Sequence, residues 1–177
     1  MSYITIFADG ACLGNPGPGA AGSIVASSKK VLELGSRELS TTNNRMEILS
    51  VLQAVECLED WKEKEVRIFC DSQYVLNGIQ KWVKGWKKNL WRTAEGEQVK
   101  NRDLWELLDA AVSKAQKNHI LIWTHVPGHS GIPGNERCDE IATTLAAGTE
   151  IFLYDGPRSE YSVDLEDLKP KKISSSS

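Results

Sequence analysis

Asp9 and Asp71 each follow a run of apolar residues, in segments 3–9 and 66–71. Runs of this length predict buried β-strands, so each carboxylate is expected at the end of a strand, where a ligand can approach. If the two strands are parallel neighbours, the carboxylates lie about 5 Å apart and repel each other unless a cation lies between them. The pair therefore favours a metal site.

The sequence that follows Asp9 has two interpretations. Residues 10–19 are rich in glycine and proline, which suits a loop whose backbone other groups can approach closely. The same composition is typical of an ordinary hairpin turn after a strand. Taken alone, this stretch favours the ordinary turn, and further acidic residues have to join Asp9 before a site is indicated.

The first half of the chain predicts the elements that would position these acids. Segments 3–9, 20–26 and 31–39 have strand-like composition and short polar connections, which indicates an antiparallel meander. Apolar residues then recur at helical spacing over 48–58, after a group of potential capping residues. Glu47 lies on the flank of this apolar stripe, where the helix would meet the sheet.

The second half predicts a parallel continuation of the sheet. A strand over 66–71 that follows a helix implies a right-handed crossover, so this strand should run parallel to the first. An amphipathic helix over 104–115 and a short strand over 120–123 come next. His129 lies in a loop framed by glycines, and the last helix should begin near Pro133.

Composition indicates one globular domain of 177 residues, with 41% hydrophobic and 25% charged residues. We expect a cytoplasmic protein, because the sequence has neither an apolar run of about 18 residues nor a basic leader. The four cysteines lack metal-ligand spacing and are expected to be reduced. The net charge is -3, yet residues 81–92 carry five cations and no acid. This basic segment on an acidic body suits contact with phosphates.

Four motifs together resemble ribonuclease HI, the enzyme that cuts the RNA strand of RNA–DNA hybrids. They are DGACLGNPGPGA, TTNNRMEI, CDSQYV and GHSGIPGNERCDEIA, and the match covers residues 3–147. The resemblance implies an α/β fold, with a ribonuclease H-like mixed sheet of five strands flanked by helices. Three strands would be antiparallel and two parallel. We therefore expect a catalytic domain over 1–147 and a C-terminal extension over 148–177.

The resemblance also implies the catalytic set. Asp9, Glu47, Asp71 and Asp139 would meet at one edge of the sheet and hold two Mg²⁺ ions, with Mn²⁺ as a substitute. Two such ions about 4 Å apart activate water and neutralise the leaving oxygen, and hard cations prefer carboxylate ligands. His129 would carry protons or assist product release, and the products would bear 5′-phosphate and 3′-hydroxyl ends.

Substrate contacts are implied in the same way. The 2′-hydroxyls of the RNA strand would meet the turn from Cys12 to Asn15 and the amide side chains near the metals, while other residues would hold the DNA strand. The implied binding residues are Cys12, Gly14, Asn15, Thr42, Asn43, Asn44, Gln73, Trp82, Lys87, Lys88 and Asn101. For Asn43 and Asn44, helix capping is the alternative role, expected for one of them.

The predicted partner is an RNA–DNA hybrid, bound by a monomer that does not associate with membranes. Two other functions stay open: a DNA-processing nuclease of the same fold, and a module that binds hybrids without cutting them. Residues 155–169 are mostly acidic and polar, and the chain ends in four serines, which is typical of a flexible extension. A partner-binding peptide and a segment packed on the core are the alternatives.

Overall fold

The computed structural model of the chain describes residues 2–166 and 168. Six strands form one mixed sheet: β1 (Tyr3–Cys12), β2 (Gly17–Ala26), β3 (Lys30–Thr41), β4 (Glu65–Cys70), β5 (Ile120–His125) and β6 (Asp155–Pro157). Their order is β5-β4-β1-β2-β3-β6. The first three strands pair antiparallel, and β4 and β5 continue the sheet in parallel, which confirms the predicted five-stranded core.

Helices cover both faces of the sheet. They are α1 (Asn43–Glu56), α2 (Gln73–Asn77), α3 (Val83–Lys88), α4 (Arg102–Ala115) and α5 (Pro133–Ala146). Because side chains alternate along a strand, Ile6 belongs to the hydrophobic cluster that includes α1 and α4 residues, and Phe7 to the cluster that includes Cys138 of α5. The sheet therefore lies between α1 and α4 on one face and α5 on the other.

The first strand is longer than predicted. It continues beyond Asp9 to Cys12, because β2 goes on pairing with it as far as Gly19. On its other side the parallel partner β4 ends at Cys70, opposite Ala8. Asp9 is thus inside β1 rather than at its end, but it lies where the neighbouring strand stops. This step between two strands leaves one side of β1 open beside the carboxylate.

The capping of α1 also differs from expectation. Thr42 is the N-cap, and its hydroxyl oxygen accepts a hydrogen bond from the Arg45 backbone N–H at 3.3 Å. Asn43 and Asn44 are the first two residues of the helix and are exposed, so neither caps it. The predicted start of α5 at Pro133 is confirmed, and Ser72 is the N-cap of α2.

The part of the C-terminal extension that the structure describes packs on the sheet. Residues 155–157 form β6, which pairs antiparallel with β3, and Leu165 is buried in the same cluster as Phe7. This packing supports the alternative of a segment packed on the core, and the flexibility of the extension stays a prediction. The serine tail lies outside the described residues, and the division of the chain at residue 147 stays a prediction.

Several smaller expectations have clear outcomes. All four cysteines are free, and Cys70 is buried whereas Cys57 is half-buried. His119 has a structural role, because its ring nitrogens lie 2.7 Å and 3.2 Å from backbone carbonyl oxygens of Glu63 and Leu58. Within residues 2–166 and 168, none of the helices combines the length and apolar character that a membrane span needs.

Candidate active site

Asp9 and Glu47 are brought together by a backbone contact between β1 and α1. A Cβ atom at Gly10 would lie 2.5 Å from the backbone nitrogen of Glu47, so only glycine lets the helix come this close. Glu47 is buried with 7% of its surface exposed, as expected for a residue between helix and sheet. The contact places its carboxylate beside Asp9.

Asp71 and Asp139 approach from two other elements. Asp71 follows the last residue of β4, and Asp139 lies on α5, which crosses the opposite face of the sheet. A close contact sets the height of this helix, since a Cβ atom at Gly22 would lie 2.4 Å from the carbonyl oxygen of Cys138. Gly22 is the register partner of Asp9, so the contact brings Asp139 over the first strand.

A cavity of about 290 Å³ opens between these elements. Its lining consists of Asp9, Asp71, His129, Asn135, Glu136 and Asp139. His129 is held in a left-handed conformation with φ 54°, beside Gly128, where a Cβ atom would lie 3.0 Å from Asp71 Oδ2. Three of the predicted acids and the histidine thus line one cavity, and Glu47, which is not part of the lining, lies beside Asp9.

The sequence prediction missed Asn135. This residue is 3% exposed, and its buried Oδ1 accepts no hydrogen bond from the described residues. It lies four positions before Asp139 on α5, and residues four apart share one face of a helix. That spacing within the last motif is the signal that could have identified it.

Burial and mutual repulsion disfavour ionisation of the acids. The pKa of Asp9 is raised from 3.8 to about 8, first by burial and then by the charges of Asp71 and Asp139. Burial also raises the pKa of Glu47 well above its usual value, and the charges of Asp9 and Asp71 add to this. The pKa of Asp71 is raised mainly by burial. Full ionisation of the cluster requires a compensating positive charge.

The donor set fits a hard divalent cation. Glu47 Oε2 and Asp71 Oδ1 are buried oxygens for which the described chain supplies no hydrogen-bond donor. Ligand atoms of Glu47, Cys70 and Asp71 lie within 4.8 Å of one another. Burial raises the pKa of the Cys70 thiol, which therefore stays protonated and is a poor ligand. Oxygen ligands remain, as Mg²⁺ and Mn²⁺ prefer.

Some predicted substrate residues adjoin one another near the start of α1. Asn15 Oδ1 accepts a hydrogen bond from the Asn43 backbone N–H at 3.2 Å, which joins the turn after β1 to this helix. Gly14 in that turn has φ 79°. The Cys12 thiol is directed inward, to the carbonyl oxygens of Gly17 and Thr41. In this turn the backbone, rather than the cysteine side chain, is presented to a ligand.

Asn101 lies farther along the same surface. Its amide nitrogen donates to the Tyr74 hydroxyl at 3.1 Å, and its Oδ1 accepts from Arg45 at 3.4 Å. Arg45 is in turn held by Asp103 in a two-pronged ion pair at 3.0 Å and 2.8 Å. Arg45 therefore links Asn101 to the helix that begins after Thr42.

Helix α2 continues through a π-helical turn (Gly78–Trp82) into α3, and the basic segment 81–92 begins at the end of this turn. Trp82 is 38% exposed, whereas Trp86 and Trp91 pack against the core, so two of its three tryptophans are structural. Lys88 is exposed, but Lys87 Nζ forms an ion pair with Asp109 at 2.9 Å. The two lysines therefore differ in their surroundings.

A carboxylate cluster beside the step between two parallel strands, with a loop histidine on the same cavity, defines a metal-dependent α/β enzyme. Comparisons with known proteins specify the family. The sequence profile of the RNase H family matches residues 1–147. The ribonuclease H of Paracidovorax citrulli is 49% identical over 142 residues, covering 80% of this chain and 93% of the relative. That of Pseudoalteromonas atlantica is 44% identical over 156 residues, covering 88% and 98%.

Solved structures agree with this assignment. LC9-RNase H1, a type 1 RNase H with the type 2 active-site motif, has 29% sequence identity and a TM-score of 0.71, covering 87% of this chain and 77% of that one. LC11-RNase H1, solved in complex with an RNA/DNA hybrid, is 19% identical with a TM-score of 0.57 over 79% and 94%, which shows the shared fold. The chain belongs to the ribonuclease H family, the metal-dependent endonucleases that hydrolyse the RNA strand of RNA–DNA hybrids.

Proposed function

We propose that Asp9, Glu47, Asp71 and Asp139 form the catalytic site at which this chain hydrolyses the RNA strand, and that they hold two Mg²⁺ ions. The observation that carries the proposal is the pair of buried oxygens, Glu47 Oε2 and Asp71 Oδ1, that receive no hydrogen bond from described residues in a crowded acidic cluster. Bound ions would act as Lewis acids that strengthen water as a nucleophile and neutralise charge on the leaving oxygen.

The protein itself contributes orientation and proton transfer. Asp9 on β1 lies between two other acids, with Glu47 on one side and Asp139 on the other. His129 is on the cavity wall, and its imidazole moves a proton to or from the reacting oxygens of the scissile phosphate. Its position in an exposed glycine-framed loop suits such a role because the ring is not fixed by packing.

Selection of the RNA strand belongs to the surface next to the acids. The backbone of the turn at Gly14 and Asn15, together with the amide groups of Asn43, Asn44 and Gln73, provides donors and acceptors for 2′-hydroxyls. The contact between Asn15 and Asn43 supports this assignment, because it presents two of these residues as one unit.

The DNA strand would lie farther from the acids, along the surface that leads to the basic segment. Thr42 and Asn101 would hold one of its phosphates, and the exposed face of Trp82 would pack on a deoxyribose. Lys88, with a smaller contribution from Lys87, would neutralise further phosphates without reading sequence.

Cleavage assays on two substrates, with and without metal, test this proposal. Purified protein is expected to cut the RNA strand of a hybrid in Mg²⁺, to leave duplex DNA intact, and to lose activity when EDTA removes the metal. Products should carry 5′-phosphate and 3′-hydroxyl ends. Cleavage of duplex DNA would instead indicate a DNA-processing nuclease, and hybrid binding without cleavage would indicate a binding module. Cleavage with Mn²⁺ but not with Mg²⁺ would contradict the choice of Mg²⁺.

The cellular setting and assembly are also proposals. Four free cysteines suit the reducing cytoplasm, where disulfides rarely persist. We propose that the enzyme acts there as a monomer, which light scattering coupled to gel filtration would check.

A further inference from the structure

Glu33 is a buried carboxylate on β3, two strands across the sheet from β1, which carries Asp9. It lies within β3, and only 2% of its side chain is exposed. Two donors come from Arg137 on α5, through Nε and through Nη2 at 3.1 Å. Two more come from the C-terminal segment, the Tyr154 backbone N–H at 2.9 Å and the Tyr161 hydroxyl at 3.2 Å. The carboxylate therefore joins a strand, a helix and the C-terminal segment.

Arg137 contacts the C-terminal segment directly as well. Its Nη2 donates to the carbonyl oxygen of Phe152 at 2.9 Å, and 17% of its side chain is exposed. The rings of Tyr154 and Tyr161 lie 4.9 Å apart, and both pack against the cluster that contains Cys138. Buried charges are retained when they are paired and fully hydrogen-bonded, which is the case for this pair.

The position of Arg137 relates this network to the catalytic acids. Arg137, Cys138 and Asp139 are consecutive on α5, where successive side chains point about 100° apart. Cys138 is buried against Gly22 of β2, so the residues on either side of it reach outward in different directions. Arg137 reaches β3, whereas Asp139 faces the cavity beside Asp9 on β1. Rotation of the helix about Cys138 would move both side chains together.

We propose that Arg137 is a positioning residue for the active site, and that the C-terminal segment acts through Glu33 to hold Arg137 in place. The contact fixes the rotation of α5 and so keeps Asp139 against Asp9. This inference rests on the proposed role of Asp139 in holding Mg²⁺. It gives residues 149–166 a part in the reaction that their distance from the cavity does not suggest.

Three full-length variants test the inference. Arg137→Gln removes the guanidinium, and Tyr161→Phe removes one hydrogen bond from the C-terminal segment to Glu33. Tyr154→Phe is the matched control, because its hydroxyl donates to the Pro157 carbonyl oxygen and its backbone bond to Glu33 is kept. Each variant is compared with the unchanged protein in Mg²⁺ binding by calorimetry, in kcat and KM for hybrid, and in Tm.

We expect Arg137→Gln to weaken Mg²⁺ binding by about 10-fold, as for other residues that orient metal ligands, while KM for hybrid stays unchanged. Tyr161→Phe should shift Mg²⁺ affinity in the same direction by about threefold, and Tyr154→Phe should not shift it. A lower Tm of Arg137→Gln with unaltered Mg²⁺ affinity would overturn the inference. Equal shifts of Mg²⁺ affinity in Tyr161→Phe and Tyr154→Phe would overturn it as well.

If Arg137→Gln does not fold, Tyr161→Phe against Tyr154→Phe decides alone. The proposed function fails separately, through the unchanged protein: absence of Mg²⁺ binding or of hybrid cleavage there would overturn the catalytic site and this inference with it.

Discussion

Gly10 and Glu47 touch at the level of their backbones, and a Cβ atom at Gly10 would lie 2.5 Å from the Glu47 nitrogen. The residue after Asp9 thus determines how close the helix that carries Glu47 can come. This contact explains why a strand residue without a side chain matters to the site.

Gly10→Ala should therefore impair catalysis. The added methyl group pushes α1 away from β1, and displacement of a catalytic group by about 1 Å can cost about 10²-fold in rate. The measurement is kcat for hybrid cleavage. Gly85→Ala is the matched control, because it lies in α3 with nothing within 4 Å of the added atom. It should keep full activity and gain about 0.5–1 kcal/mol in stability. Equal kcat in the two variants would contradict this account.

The acidic cluster should make the metal-free protein less stable as the pH rises. The pKa of Asp9 is raised from 3.8 to about 8, so the folded state binds this proton more tightly than the unfolded chain does. Stability from this group is complete below 3.8 and is lost as pH rises through about 8. Asp9→Asn removes the effect, and its stability advantage over the unchanged protein should grow across this range.

The size of that advantage follows from the same linkage. It should amount to several kcal/mol in EDTA at the alkaline end, because the pKa of Asp9 is raised from 3.8 to about 8 and one pKa unit corresponds to about 1.4 kcal/mol. Chemical unfolding at a series of pH values measures it. Saturating Mg²⁺ should restore the stability of the unchanged protein and leave the stability of Asp9→Asn nearly unaffected. A constant difference in unfolding free energy between the two proteins across the pH range would rule out ionisation of Asp9 as the cause of the lower stability.

Lys88 should contribute more to hybrid binding than Lys87. Lys87 is already paired with Asp109, whereas Lys88 is exposed, so only Lys88 offers an uncompensated charge to a phosphate. Lys88→Ala should reduce the slope of log K against log salt by about 0.7–0.9. Lys87→Ala should reduce it less, and Lys117→Ala, beyond the far end of α4, should leave it unchanged. Identical slopes in all three variants would exclude phosphate contact by this segment.

His129 should act on turnover rather than on binding. We expect His129→Asn to lower kcat by about 10²-fold while KM stays the same, because it removes the proton-carrying ring. Asparagine is chosen so that the loop keeps its shape, because it tolerates the left-handed backbone at φ 54° better than alanine does. Unchanged kcat in this variant would mean that His129 takes no part in proton transfer.

The sequence was sufficient for the order of the strands and the helices because apolar periodicity and caps act locally. The family motifs brought together Asp9, Asp71, His129 and Asp139, which now line one cavity. Contacts between distant elements escaped prediction. That β1 continues past Asp9 depends on pairing with β2, which a glycine-rich sequence does not reveal.

The C-terminal segment illustrates the same limit. Its composition is that of a flexible extension, yet it folds back because Glu33 on β3 supplies a buried acceptor and α5 leaves part of the sheet uncovered. Asn135 was missed for a related reason. Its importance depends on which face of α5 meets the cavity, and in the sequence only its spacing of four residues from Asp139 indicates that face.

The central claim is that Asp9 and its neighbouring carboxylates perform the cleavage. Its most direct test is hybrid cleavage in Mg²⁺ by Asp9→Asn beside the unchanged protein, with hybrid binding measured in parallel. We expect cleavage to fall by at least about 10³-fold, as loss of several kcal/mol of transition-state stabilisation would give. Hybrid binding should remain, because the neutral isostere removes repulsion and keeps the shape. Full activity in Asp9→Asn would contradict the account.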